Sequence, residues 1–116
     1  MEKKDLKPAG VFKYFEEICQ VPRPSKKEEK MIAYLKAFGA KHNLETKVDE
    51  AGNVLIKKPA TPGKENLQTV VLQSHIDMVC EKNNDVQHDF LTDPIETEID
   101  GEWLKAKGTT LSLIHI

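Results

Sequence analysis

Ser25-Lys-Lys-Glu-Glu-Lys-Met-Ile-Ala-Tyr-Leu-Lys-Ala-Phe-Gly-Ala-Lys-His-Asn43, followed by Leu44-Glu-Thr-Lys-Val-Asp49 and Val54-Leu-Ile-Lys57, decides the fold class. In the first part Met31, Ile32, Leu35 and Phe38 recur at three- and four-residue spacing, the period of a helix with one buried face. Ser25 and Glu28 match a capping box, in which the serine oxygen accepts from an early helix N–H and the glutamate reaches back. Asn43 suits a left-handed stop. The spacing predicts a helix from the Ser25 cap to about His42. Then the period changes. Two short runs, 44–49 and 54–57, flank Glu50-Ala-Gly-Asn53, a turn-rich tetrapeptide, and read as a pair of strands.

Working outward from this stretch, Val11, Phe12, Tyr14, Phe15, Ile18 and Cys19 give a second apolar helical face, over about 8–19. Pro8 suits a first turn, where its missing N–H costs nothing, while Pro22 and Pro24 prevent continuation. Residues 58–68, with Pro59, Pro62 and Gly63, read as a surface loop. Thr69-Val-Val-Leu-Gln-Ser74 is β-branched and nearly continuous in its apolar part, which predicts a strand covered on both faces. A long polar connection over 78–94 leads to Thr97-Glu-Ile-Asp-Gly-Glu-Trp-Leu104. That run reads as a hairpin, turning at the favoured pair Asp100-Gly101. Two helices followed by strands imply a layered α/β domain.

The 116 residues allow one domain at most. With 39% hydrophobic and 31% charged residues the chain is a globular mixture, not a disordered one. A net charge of −2 and 6% aromatics argue against a general nucleic-acid binder, which needs a cationic excess. Apolar runs of only a few residues leave no membrane span. Met1-Glu-Lys-Lys-Asp5 has no apolar segment behind its charges, so no secretory signal is expected. Cys19 and Cys80 form no disulfide framework, and a reducing, cytoplasmic setting is the default expectation.

Charge is unevenly spread. Between Arg23 and Lys47 seven basic residues face three acidic ones, and between Asp77 and Glu102 one basic residue faces nine acidic ones. The basic excess reads as a solvated face. At the start of the acidic stretch stands His75-Ile76-Asp77, directly after the expected buried strand. In open α/β sheets ligands collect at the carboxyl ends of strands. There an imidazole supplies a metal-binding nitrogen, and a nearby carboxylate holds its other N–H, fixing the tautomer. The bare pattern is common, and taken alone a structural or surface histidine is the simpler reading. Cys80 reads as a small buried hydrophobe rather than a thiolate ligand, and His88-Asp89 as a solvated loop histidine and its neighbour. His42 complements the dipole at a helix end and needs no further role. No phosphate-binding glycine loop or serine nucleophile elbow is present.

Read with its surroundings, the His75 region is more specific. Val70-Val-Leu-Gln-Ser-His-Ile-Asp-Met-Val79, Lys82-Asn83, His88-Asp-Phe90 and Asp93-Pro-Ile95 resemble the bacterial aminoacyl-histidine (cytosol non-specific) dipeptidases, within the dinuclear zinc exopeptidases. Phe12-Lys-Tyr-Phe-Glu-Glu-Ile18, the Pro22-Arg-Pro-Ser25 break, the second helix and Gly52-Asn53-Val54 fit as well, so the resemblance covers about 6–111. It implies the N-terminal part of a zinc-exopeptidase-like catalytic domain over 1–111. It also implies His75 as a zinc ligand and Asp77 as the auxiliary catalytic residue that orients it. The implied reaction is hydrolysis of dipeptides, of Xaa-His type or broader, by water activated between two zinc ions, with manganese or cobalt able to substitute. A homodimer of the full-length enzyme and a cytoplasmic location go with it.

The resemblance stops abruptly. The family places a metal-bridging aspartate just after the segment matching Gly108-Thr-Thr-Leu111, in a Gly-Ala-Asp-Asn-Gly run. Here Ser112-Leu-Ile-His-Ile116 follows, with Ile114 at the bridging position. This ending matches the translation of a transposase-based sequencing adapter, so 112–116 is expected to be a non-native tail and His115 no ligand. The general-base glutamate and the other ligands are expected beyond this chain, which is therefore expected to be inactive alone. The alternative from another class is a non-catalytic α/β binding module or pseudoenzyme fragment.

Overall fold

A computed structural model describes residues 2–110. The tail expected over 112–116, with Ile114 and His115, lies outside the described residues. A short 3₁₀ turn, Lys3–Asp5, leads to α1 (Ala9–Cys19) and α2 (Glu29–Lys41). Two antiparallel hairpins follow, β1 (Glu45–Val48) with β2 (Val54–Lys57), and β3 (Thr97–Asp100) with β4 (Trp103–Ala106). The expected order of two helices and then strands is what the chain forms. The described residues divide into two compact units, one comprising 32–75 and the other the segments before and after it.

In the 32–75 unit α2 ends as the sequence requires. Asn43 adopts φ 55°, and Leu44 N donates to Gly39 O at 2.9 Å. Gly39 is buried because β1 passes directly over it, and a Cβ there would lie 1.9 Å from Thr46 Oγ1. The hairpin pairs Glu45 with Lys57 and Val48 with Val54. Its turn is organised by Asp49, whose Oδ1 accepts from Ala51 N at 2.9 Å and Asn53 N at 2.8 Å, while Oδ2 accepts from Asn53 Nδ2 at 2.8 Å. Those bonds, the Asn53 side chain first among them, hold the Asp49 carboxyl below its ordinary range.

The expected strand at 69–74 does not form. Among the described residues no segment pairs with it, and Val70, Val71 and Leu72 are 79%, 78% and 92% exposed. A strand is a relation between two segments. The apolar run states what this one would bury, but the described residues provide no ladder for it.

The other unit centres on Cys19, Met78 and Ile95, with Phe15, Cys80, Phe90 and Ala106 packed around them. Ile95 N donates to Cys19 O at 2.9 Å, tying the approach to β3 onto the end of α1. Thr97, 4% exposed, donates to Glu16 Oε1 and accepts from Lys3 Nζ, both at 2.5 Å. The hairpin loop is Gly101-Glu102, one residue later than expected, since Asp100 pairs with Trp103. Gly101 takes the positive φ of 61° that the first position of such a turn demands. Val11 and Tyr14, expected on the apolar face of α1, are exposed. No described helix is long and apolar enough to cross a membrane.

Candidate functional site

Asp77 owes its place to a segment read from sequence as a helix start. Prolines on both sides of Arg23 favour extended backbone there, because Pro24 disfavours the helical region for the residue before it. That stretch pairs in parallel with the chain around Met78: Met78 N donates to Arg23 O at 2.9 Å, and Ser25 N donates to Met78 O at 3.2 Å. The Ser25 hydroxyl then donates to Asp77 Oδ2 at 2.5 Å. The expected capping box is therefore not made. Glu28 accepts from Lys26 N at 2.6 Å instead, Lys26 adopts φ 69°, and α2 begins at Glu29.

Arg23 supports this pairing from below. It is 2% exposed, and its Nη1 donates to Ile18 O at 2.9 Å and Val21 O at 3.3 Å, closing the turn after α1. Its Nη2 is buried with no partner among the described residues, and burial lowers the guanidinium pKa from its ordinary value. In the sequence Arg23 belongs to a proline-rich break and opens the basic stretch expected to be a solvated face, an expectation its burial corrects. The signal for its role was the flanking prolines, which specify strand-like pairing rather than a helix cap.

The other candidates divide as follows. His75 is an exposed residue at the end of the 32–75 unit. Asp77 is half-buried and belongs to the other unit. Cys80 packs against the core, and burial, followed by Glu81, raises its thiol pKa; it is a protonated hydrophobe, as expected. His88 departs from expectation. It is half-buried, its ring packs edge-on to Phe90 at 4.5 Å, and its Nε2 is buried without a partner among the described residues. His42 is exposed just past α2, its ring 4.4 Å from that of Phe38.

An imidazole can supply a metal-binding nitrogen, and the Asp77 carboxylate is held by the Ser25 hydroxyl. Zinc sites take three or more protein ligands, and among the described residues no group of three or more His, Cys, Asp or Glu side chains is placed to hold a metal ion. One histidine and one carboxylate fall short of such a set.

No family model matches the chain. It is 48% identical over 110 residues to the cytosol non-specific dipeptidase of Escherichia coli K12, an alignment covering 95% of this chain and 23% of that protein. Its backbone superimposes on the crystal structure of the aminoacylhistidine dipeptidase from Vibrio alginolyticus with a TM-score of 0.91 and 51% identity. That match covers 96% of this chain and 23% of the other. The chain thus spans about a quarter of the length of both relatives. The resemblance read from the residues around His75 is borne out: in sequence and in backbone, this chain is the counterpart of one part of a bacterial aminoacylhistidine, or cytosol non-specific, dipeptidase.

Proposed function

We propose that this chain forms part of a metal-dependent dipeptidase and contributes His75 and Asp77 to its hydrolytic site. The observation that carries the reading is the near-complete coverage of the chain, at 48% and 51% identity, by two proteins named as dipeptidases. His75 provides the ring nitrogen that ligates zinc, and the Asp77 carboxylate accepts the other ring N–H and holds the ligating tautomer. Zinc, when bound, supplies an activated water and polarises the scissile carbonyl, and manganese or cobalt can take its place. The remaining ligands and the general base come from sequence outside this chain, which on its own has no turnover. The substrates are dipeptides, the full-length protein a homodimer, and the location the cytosol, the compartment in the name of the Escherichia coli relative.

The test is made on the full-length protein carrying this segment, stripped of metal and reloaded with zinc, against Xaa-His and other dipeptides. Zinc restores hydrolysis, His75→Ala lowers both zinc content and turnover, and Asp77→Ala costs roughly 10–100-fold in metal affinity or activity. Parent-like zinc binding and hydrolysis in His75→Ala overturns the assignment, and loss of all dipeptide hydrolysis in the parent favours the non-catalytic module.

A further inference from the structure

Two backbone bonds made by Met78, the residue next to the Asp77 carboxylate, hold this part of the loop to the segment around Pro24. Met78 N to Arg23 O and Ser25 N to Met78 O lock 23–25 against 77–78 in one register. The anchors at both ends are buried, Arg23 at 2% exposure and Met78 at 3%. This pairing carries Ser25 Oγ to Asp77 Oδ2 across 52 residues of sequence. Ser25 Oγ also lies 3.4 Å from Met78 O, so the hydroxyl rests against both the carboxylate and the backbone that presents it. A hydroxyl donor on one carboxylate oxygen fixes the plane of the group about its last torsion, while a carboxylate retains further lone pairs for a second donor.

We propose that Ser25 is a positioning residue of the hydrolytic site, acting through Asp77 to set the orientation of the metal-ligating His75. This rests on the reading of His75 and Asp77 given above. Ser25 touches neither metal nor substrate. It fixes from another element the one group whose task is orientation, and supporting shells of this kind hold ligand geometry within the tolerance a metal site needs. The proline-flanked Arg23, with its side chain spent on the carbonyls of Ile18 and Val21, is the rigid mount that makes the serine an effective clamp.

The experiment uses the full-length, metal-loaded protein with Ser25→Ala, Ser25→Thr and Asp77→Ala, read by steady-state kinetics, thermal unfolding and the visible spectrum of the cobalt-substituted site. Ser25→Ala lowers kcat about tenfold at nearly unchanged KM and shifts the cobalt bands, while Ser25→Thr, which keeps the hydroxyl, stays within about twofold of the parent. A folded Ser25→Ala with parent kcat and cobalt spectrum, beside an impaired Asp77→Ala, overturns the proposal and leaves the site reading intact. A silent Asp77→Ala overturns the site reading and the role of Ser25 with it. Should Ser25→Ala fail to fold, Ser25→Cys keeps the size but offers only a weak donor. A folded cysteine variant with shifted bands and reduced kcat supports the proposal, and one indistinguishable from the parent overturns it.

Discussion

Substituting alanine for either helical glycine should move stability in opposite directions. Gly39 lies inside α2, where alanine is favoured over glycine by about 1 kcal/mol through backbone entropy alone. In this fold the added methyl would meet Thr46 Oγ1 at 1.9 Å and Thr46 Cβ at 3.0 Å. Turning the threonine relieves the first overlap but breaks its bond to Leu44 O, now 3.1 Å, and cannot relieve the second, because Cβ does not move with χ1. Overpacking of this kind costs about 1–3 kcal/mol, and the lost hydrogen bond about 1 more. The sum outweighs the helix preference, so Gly39→Ala destabilises by about 1–3 kcal/mol. Gly10, near the start of α1, has nothing within 4 Å of its virtual Cβ. Gly10→Ala should therefore gain part of the helix preference, up to about 1 kcal/mol. Urea unfolding followed by circular dichroism measures both, and Thr46→Ala in the Gly39→Ala background should recover part of the loss. Stabilisation by Gly39→Ala would refute the close packing of β1 on α2.

Two further predictions follow from titratable groups. Asp49 has a folded pKa below its ordinary value, so its contribution to the β1–β2 hairpin is present above that ordinary value and lost as pH falls through the depressed one. A carbon-detected NMR titration should give an Asp49 midpoint below that of an unfolded peptide, and Asp49→Ala should flatten the acid limb of the stability profile; a midpoint at the ordinary value rejects the turn geometry. Burial, and then Glu16, pushes the Cys19 thiol up to about 11, and the residue is 1% exposed. Under native conditions at pH 8 iodoacetamide should modify Cys80 well before Cys19, as read by mass spectrometry, and equal rates would contradict the core placed around Cys19.

The elements legible in the sequence are those whose causes are local. Helix α1 begins after Pro8 and ends at Cys19, where the apolar spacing gives out before Pro22. Asn43 stops α2, and the turn at 49–53 is written in Asp49, Gly52 and Asn53 themselves. What was misplaced depends on distant partners. Thr69-Val-Val-Leu-Gln-Ser74 carries every propensity of a strand and lacks one among the described residues, because propensity supplies no neighbour to complete a ladder. His88 has its ring partner, Phe90, only two residues away, but the composition of a polar loop does not announce the backbone conformation that sets the two rings edge-on. For the site, His75 and Asp77 stood out as a residue pair, whereas the groups supporting Asp77 were invisible without the pairing of 23–25 with 77–78.

Ser25 shows why that support escaped a local reading. A serine ahead of a helix has two competing uses: capping contributes about 1 kcal/mol through a neutral acceptor on an N–H, whereas donation to a carboxylate is charge-assisted and about twice as strong. The stronger use wins here, and the costs appear where they should. Glu28 folds back on Lys26 N, Lys26 is pushed to positive φ, and the helix starts four residues past the serine. A local rule broken in favour of a carboxylate is the pattern expected where a site, rather than a helix, sets the requirement, and it accords with the role proposed for Asp77. Were the cap the governing interaction, α2 would begin next to Ser25 and Asp77 would stand without this donor.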